Sequence, residues 1–248
     1  MGLRAEAVCG AAEREAVSWD GVPLGIREEL DALPADILSR SGKVFYVGAE
    51  ALQKHSQIYL LGLNPGGDPD DRLGGSTIGQ DLKAFRERKA PWSAYADESW
   101  RGRPPGTWGM QPRILHLLRG LEANLRFTPA SNVVFVRSRR ENDLEREKED
   151  LLRACWPVHQ AVIDSLRVRV VVCLGQTAGR WVREQLDAHQ HVDWFKETNG
   201  RGWASHTHQG ADGRQVVSVT HPSIANWCNP DADPTSLVVR AMKRANTG

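Results

Sequence analysis

Apolar residues along this chain gather in four short runs, 58–61, 133–136, 170–174 and 216–219, rich in β-branched side chains and bounded by Gly, Pro, Ser or Arg. Runs of this length are too short for a helix but suit strands buried on both faces. Between them the spacing changes. After Pro112, Ile114, Leu115, Leu118, Leu121 and Leu125 recur at helical intervals, and Leu151, Leu152, Cys155, Val158, Val162 and Leu166 do so later. Continuous apolar strands alternating with helices predict a parallel sheet covered on both sides. The expected fold is therefore α/β, a three-layer α/β/α sandwich around a mainly parallel, four-stranded sheet. Residues 1–43 have helical composition, with Leu30, Leu33 and Ile37 on one face. They are expected to form an N-terminal helical extension packed on a core domain of residues 44–248.

Composition narrows the function classes. A chain of 248 residues with 40% hydrophobic and 25% charged residues is ordinary for a globular domain. A net charge of +1 means that any nucleic-acid surface must come from basic residues segregated to one face. The dense run 137–150 is mixed in sign, and its later part reads as the first turns of a helix. No apolar run approaches membrane-spanning length, and Arg4, Glu6 and Glu13 interrupt the start of the chain, so the expectation is a cytoplasmic protein without a membrane partner. Cys9, Cys155, Cys173 and Cys228 form no Cys-x-x-Cys pair and read as reduced thiols, with neither a zinc site nor an iron-sulfur cluster. His189 with His191, and His206 with His208, alternate as ligands on a strand would. No acidic or cysteine partner follows at ligand spacing, so these pairs are expected on surface loops, with no metal and no cofactor.

In open parallel sheets ligands bind beyond the carboxyl ends of the strands. Those positions read Gly62-Leu63-Asn64-Pro65-Gly66, Arg137-Ser138-Arg139-Arg140, Gly175-Gln176-Thr177 and Thr220-His221-Pro222-Ser223. Small and polar residues converge on one edge. Asn64, followed by rigid Pro65 and by Gly66, can hydrogen-bond a water and fix its direction. His221 can donate to a developing anion from a neutral imidazole. That pair suits cleavage of an N-glycosidic bond, which passes through an oxocarbenium-like sugar and needs a placed water more than a strong base. No Gly-x-Gly-x-x-Gly turn, Gly-x-Ser-x-Gly elbow or phosphate-binding Lys loop competes with this reading.

The first and last of these segments resemble the two signature motifs of the uracil-DNA glycosylase superfamily. The Gly-x-Asn-Pro-Gly turn is typical of its mismatch-specific and single-strand-selective branches. The His-Pro-Ser turn is typical of the single-strand-selective and general uracil-excising branches. The resemblance covers residues 44–227. It implies a monofunctional, metal-independent DNA glycosylase acting on uracil or another damaged or mismatched base, with Asn64 and His221 as catalytic residues. It further implies a base pocket of Gly62, Leu63, Pro65, Gly66, Tyr95 and Ser138, Tyr95 being the stacking aromatic among Trp92, Trp100 and Trp108. DNA contacts fall to Arg137, Arg139, Arg140, Pro222, the phosphate-contacting Ser223 and the wedge Ile224. General uracil glycosylases end the second strand with an Asn that reads the uracil edge. Placing that strand at 133–136 puts Arg137-Ser138 there instead, because Pro129 argues against an earlier strand ending at Asn132. Two other classes stay open: a relative that binds nucleic acid or a nucleobase without cutting it, and a nucleoside or nucleotide hydrolase. The oligomeric state is not legible.

Overall fold

The computed structural model describes residues 19–70, 76–144 and 146–247. In chain order the helices are α1 (Leu24–Asp31), α2 (Ala35–Leu38), α3 (Ile78–Glu87), α4 (Ala94–Asp97), α5 (Gln111–Gly120), α6 (Lys148–Ser165), α7 (Gln176–Gln185) and α8 (Thr235–Thr247). The strands are β1 (Ile58–Gly62), β2 (Ala130–Asn132), β3 (Val170–Leu174), β4 (Gln190–Lys196), β5 (Ala204–Gln209) and β6 (Gln215–Val219). They form one sheet in the order β2-β1-β3-β6-β5-β4. β2, β1, β3 and β6 are parallel, while β5 and β4 run antiparallel as a hairpin on the edge of β6. Every residue of β1, β3 and β6 is buried, which requires cover on both faces. The α/β/α sandwich is as expected, but the sheet has six strands rather than four.

The two extra strands leave no continuous apolar run in the sequence because polar residues interrupt them. β4 and β5 carry three His, Asp193, Gln190, Ser205 and Thr207, and β4 has no buried residue, as suits an edge hairpin. His191, His206 and His208 therefore lie on paired strands and not on loops; only His189 precedes β4.

The second parallel strand is also corrected. It is Ala130–Asn132, with Leu60 opposite Ala130 and Gly62 opposite Asn132. Pro129 is no obstacle, because it stands just before an edge strand, where its carbonyl accepts from Leu60 N–H and no donor is needed. Residues 44–46 cover the other side of β2, with Tyr46 N–H bonded to Ala130 O and Ser131 Oγ donating to Val44 O. Residues 133–136 continue as a buried bend, with Val133 N–H on Gly62 O and Val134 N–H on Leu63 O.

From the N-terminal region, Val22, Ile26, Leu30, Leu33 and Ile37 pack into the same core as the sheet, and α1 lies against α6. Residues 1–18, Cys9 among them, lie outside the described residues. Cys155 and Cys173 are buried free thiols and Cys228 is exposed. No helix among the described residues is long and apolar enough to cross a membrane.

Candidate active site at the carboxyl edge of the sheet

β1 is followed in sequence by β2 on one side and by β3 on the other, so the chain reverses its direction of travel across the sheet between β1 and β3. A crevice opens at such a reversal, outside the carboxyl ends of the strands. The Asn64 turn leaves β1 and the His221 turn leaves β6, one strand beyond β3, which places them about 10 Å apart across the crevice.

Asn64 is clamped by its amide nitrogen. Nδ2 donates to Ser138 Oγ at 2.8 Å and to Pro65 O at 3.1 Å. Ser138 is buried and passes its own proton to Arg140 O at 2.8 Å, so its lone pairs face Asn64. A parallel bridge between Gly66 and Ser138 carries the β1–β2 pairing past the strand ends and holds the two turns together. With Nδ2 committed, Asn64 Oδ1 has no partner among the described residues and is left to accept from a ligand. Gly66 is not the strained glycine of this turn. Nothing lies within 4 Å of where its side chain would begin, which leaves the approach open, while Gly67 takes φ of +118°.

His221 is fixed by its own turn. Ser223 N–H donates to Nδ1 at 3.1 Å, and Ser223 Oγ lies 2.7 Å from the same nitrogen. A ring nitrogen that accepts carries no proton, so the proton sits on Nε2, which has no partner among the described residues. Burial pushes the imidazole below its ordinary pKa and keeps it neutral. The turn is braced by Arg113, donating to Pro222 O, by Arg201, donating to Ile224 O, and by buried Trp227, whose Nε1 donates to Thr220 O at 3.1 Å. The Ser223 hydroxyl proton is thus directed at His221 Nδ1 within the turn.

With β2 ending at Asn132, an amide does stand at the end of the second strand. Asn132 Nδ2 donates to Tyr46 Oη at 3.0 Å, and its Oδ1 packs on Gly62, where a Cβ would lie 2.0 Å from it. Gly62 is a glycine because Asn132 occupies the space a side chain would take. Behind this strand end, His159 of α6 donates from Nε2 to Val133 O at 3.2 Å and accepts from Tyr59 Oη at 2.8 Å. Burial drives its pKa down to about 4. Sequence reasoning missed Tyr46, Arg113, His159 and Arg201. No motif marks them, since each reaches the site from far along the chain.

Other expected residues fall into place unevenly. Tyr95 is 3% exposed and its ring stacks on Tyr46 at 5.4 Å, so the half-buried ring of this pair is Tyr46. Leu63 and Pro65 line the β1 turn, Leu63 half-buried and Pro65 buried. Arg137 folds back to donate to Gly66 O at 2.6 Å, Arg139 pairs with Asp68 at 2.6 Å, and the exposed Arg140 guanidinium has no partner among the described residues. A cleft beyond Ser138 is lined by Arg40, Arg137 and Arg139 together with Asp143 and Glu147. Ile224 is 55% exposed at the tip of its turn. His191 Nε2 lies 3.2 Å from His206 Nδ1, and His208 Nε2 accepts from Arg183 at 2.7 Å. Among the described residues no group of three or more His, Cys, Asp or Glu is arranged to hold a metal ion.

The family model of the uracil DNA glycosylase superfamily matches residues 49–243, which span the sheet, both turns and most of α8. No curated protein matches the chain. The match takes in the reversal crevice and both of its turns, so the domain is of DNA-glycosylase type and the chain belongs to the uracil DNA glycosylase superfamily.

Proposed function

We propose that this protein is a monofunctional, metal-independent DNA glycosylase that hydrolyses the N-glycosidic bond of uracil or of another damaged or mismatched base. The supporting observation is a pair of groups without partners among the described residues on turns at one carboxyl edge of the sheet: an acceptor, Asn64 Oδ1, and a donor, His221 Nε2–H. The target nucleotide leaves the stack to enter the crevice. As the C1′–N bond lengthens, electrons move onto the base, and His221 donates to the carbonyl oxygen that gathers the charge. A neutral donor in a desolvated site serves this purpose without a full positive charge. Asn64 accepts one hydrogen of a water and aims its oxygen at C1′. The C1′–O bond forms, and the water's second proton ends on the released base. Asn132, held by Tyr46, offers an amide to the Watson–Crick edge of uracil, whose N3–H donates and whose O4 accepts. No Lys stands in the turns that follow β1, β2, β3 and β6 to form a Schiff base, so the product is an intact abasic strand.

Labelled oligonucleotides carrying one uracil, hypoxanthine or mismatched base, treated with alkali after incubation, test this. Asn64→Ala and His221→Ala should each slow single-turnover excision about 10²-fold or more, the scale for one missing preorganised group. Affinity for the same DNA should change far less, because both groups act mainly in the transition state. Wild type that binds such DNA and excises nothing would favour a binding member of the superfamily. Equal rates in all three proteins would remove these two residues from the mechanism.

A further inference from the structure

The hairpin β4–β5 is attached antiparallel to β6, and that geometry decides where its loop emerges. His206 pairs with Ser218, and Thr220 N–H donates to Ser205 Oγ at 3.1 Å. The start of β5 therefore lies beside the end of β6, and the loop of residues 197–203 projects at the same carboxyl edge as Asn64 and His221. The loop is tied down at several points. Glu197 N–H bonds Trp203 O at 2.8 Å, Thr198 Oγ1 donates to Asp231 at 2.6 Å, and Asn199 Nδ2 donates to Glu197 Oε2 at 2.7 Å. Arg201 is the hub. It pairs with buried Glu197 at 2.8 Å, donates to Ile224 O, and lays its guanidinium 4.6 Å from the centre of the Trp203 ring.

Trp203 remains 43% exposed, next to a turn whose Ile224 is 55% exposed. A lone exposed tryptophan needs no explanation. This one is preorganised by a bonded arginine, adjoins the expected wedge, and lies on the edge where the ligand enters. From these observations we infer that Trp203, backed by Arg201, is a stacking platform for an unpaired nucleobase of the strand that continues past the His221 site. The inference rests on the reading of this edge as a DNA site, but it does not require catalysis. An aromatic face accepts any base, and exposed Lys196 beside the loop supplies charge for the backbone. Because the ring is already held, stacking loses little side-chain entropy.

The probe is an undamaged, fluorescein-labelled single-stranded oligonucleotide, followed by anisotropy with the full chain. Trp203→Ala should weaken binding about ten-fold or more, within the range measured for loss of one base–aromatic stack. Trp203→Phe should keep most of the affinity, and Trp194→Ala, which removes a still more exposed ring on β4 outside the loop, should bind as wild type does. The saturating excision rate of Trp203→Ala on a target-base oligonucleotide should stay within about two-fold of wild type, since the ring lies outside the reacting groups. Equal binding by wild type and Trp203→Ala would overturn the platform, as would a wild-type dimer that Trp203→Ala dissociates, which would assign the surface to a second copy of the chain. If wild type excises normally while Trp203→Ala binds unchanged, the platform falls alone. If wild type excises nothing while Trp203→Ala binds weakly, the platform stands and the glycosylase reading falls.

Discussion

Replacing Gly62 by Ala is expected to act through Asn132. The new Cβ would lie 2.0 Å from Asn132 Oδ1 and 3.2 Å from its Cγ, an overlap of more than 1 Å with the oxygen. The backbone has little room to yield, because Gly62 and Asn132 are register partners and Val133 N–H bonds Gly62 O at 2.9 Å. The Asn132 side chain must rotate, which breaks its bond to Tyr46 Oη and leaves a largely buried group without a partner. The broken hydrogen bond is worth about 1 kcal/mol. Rotamer strain and overpacking bring the expected destabilisation to about 1–3 kcal/mol. Asn132→Ala removes the obstacle and should itself cost about 1–2 kcal/mol. In the double variant the added methyl meets no oxygen, so its stability should be close to that of Asn132→Ala alone, a coupling of about 1–3 kcal/mol, equal to the cost of Gly62→Ala by itself. Urea denaturation of the four proteins measures this, and single-turnover excision of uracil gives a second readout. Gly62→Ala and Asn132→Ala should slow excision similarly, with the double variant no slower than Asn132→Ala. Stability losses that add to within about 0.5 kcal/mol would refute the reasoning, because independent sites behave that way.

Three further outcomes are expected. His159, neutral and buried with a pKa of about 4 against an ordinary 6.5, favours the fold above pH 6.5 and loses that contribution as pH falls toward 4, by roughly 3 kcal/mol. Urea midpoints should therefore drop across that window, and His159→Gln should flatten the drop; an identical slope in both proteins would assign it to other groups. Ser138→Ala removes the 2.8 Å acceptor that orients Asn64 and should slow excision about five-fold, the equivalent of about 1 kcal/mol, with a smaller further effect of Asn64→Ala than in wild type. Replacing Arg137, Arg139 and Arg140 by Ala should reduce the log-log salt slope of DNA binding by about 0.9 for each phosphate no longer neutralised. Arg140 should contribute most among single substitutions, since Arg137 and Arg139 are already bonded to Gly66 O and Asp68; an unchanged slope would move the DNA track elsewhere.

The parts legible in the sequence are those that depend on near neighbours or on full burial. β1, β3 and β6 stand out because strands covered on both faces must be apolar at every position. The His221 turn is legible for a related reason, since the contact that sets its tautomer lies within two residues, between Ser223 and the ring. Asn64 announces itself through the Pro65 that follows it and its place after an unmistakable strand.

Tertiary structure alone decided the rest. β2 has three residues, Ala-Ser-Asn, with no apolar signature; it is a strand because β1 pairs with it on one side and residues 44–46 close the other. The apolar run 133–136 looks more like a strand and is instead the bend beyond it, buried without forming a regular ladder of its own. That exchange moved Asn132 to the strand end. β4 and β5 mix polar with apolar residues because an edge hairpin buries little, so no continuous apolar run marks them. The contacts that orient the site join residues far apart in the chain: Asn64 with Ser138, Asn132 with Tyr46, Arg113 with Pro222, and Arg201 with Ile224. The chain's local pattern determines which segments are buried strands and which turns carry polar groups. Which side chains meet is set only when the sheet order brings distant turns to one edge, because hydrogen bonds depend on spatial register and not on separation in sequence.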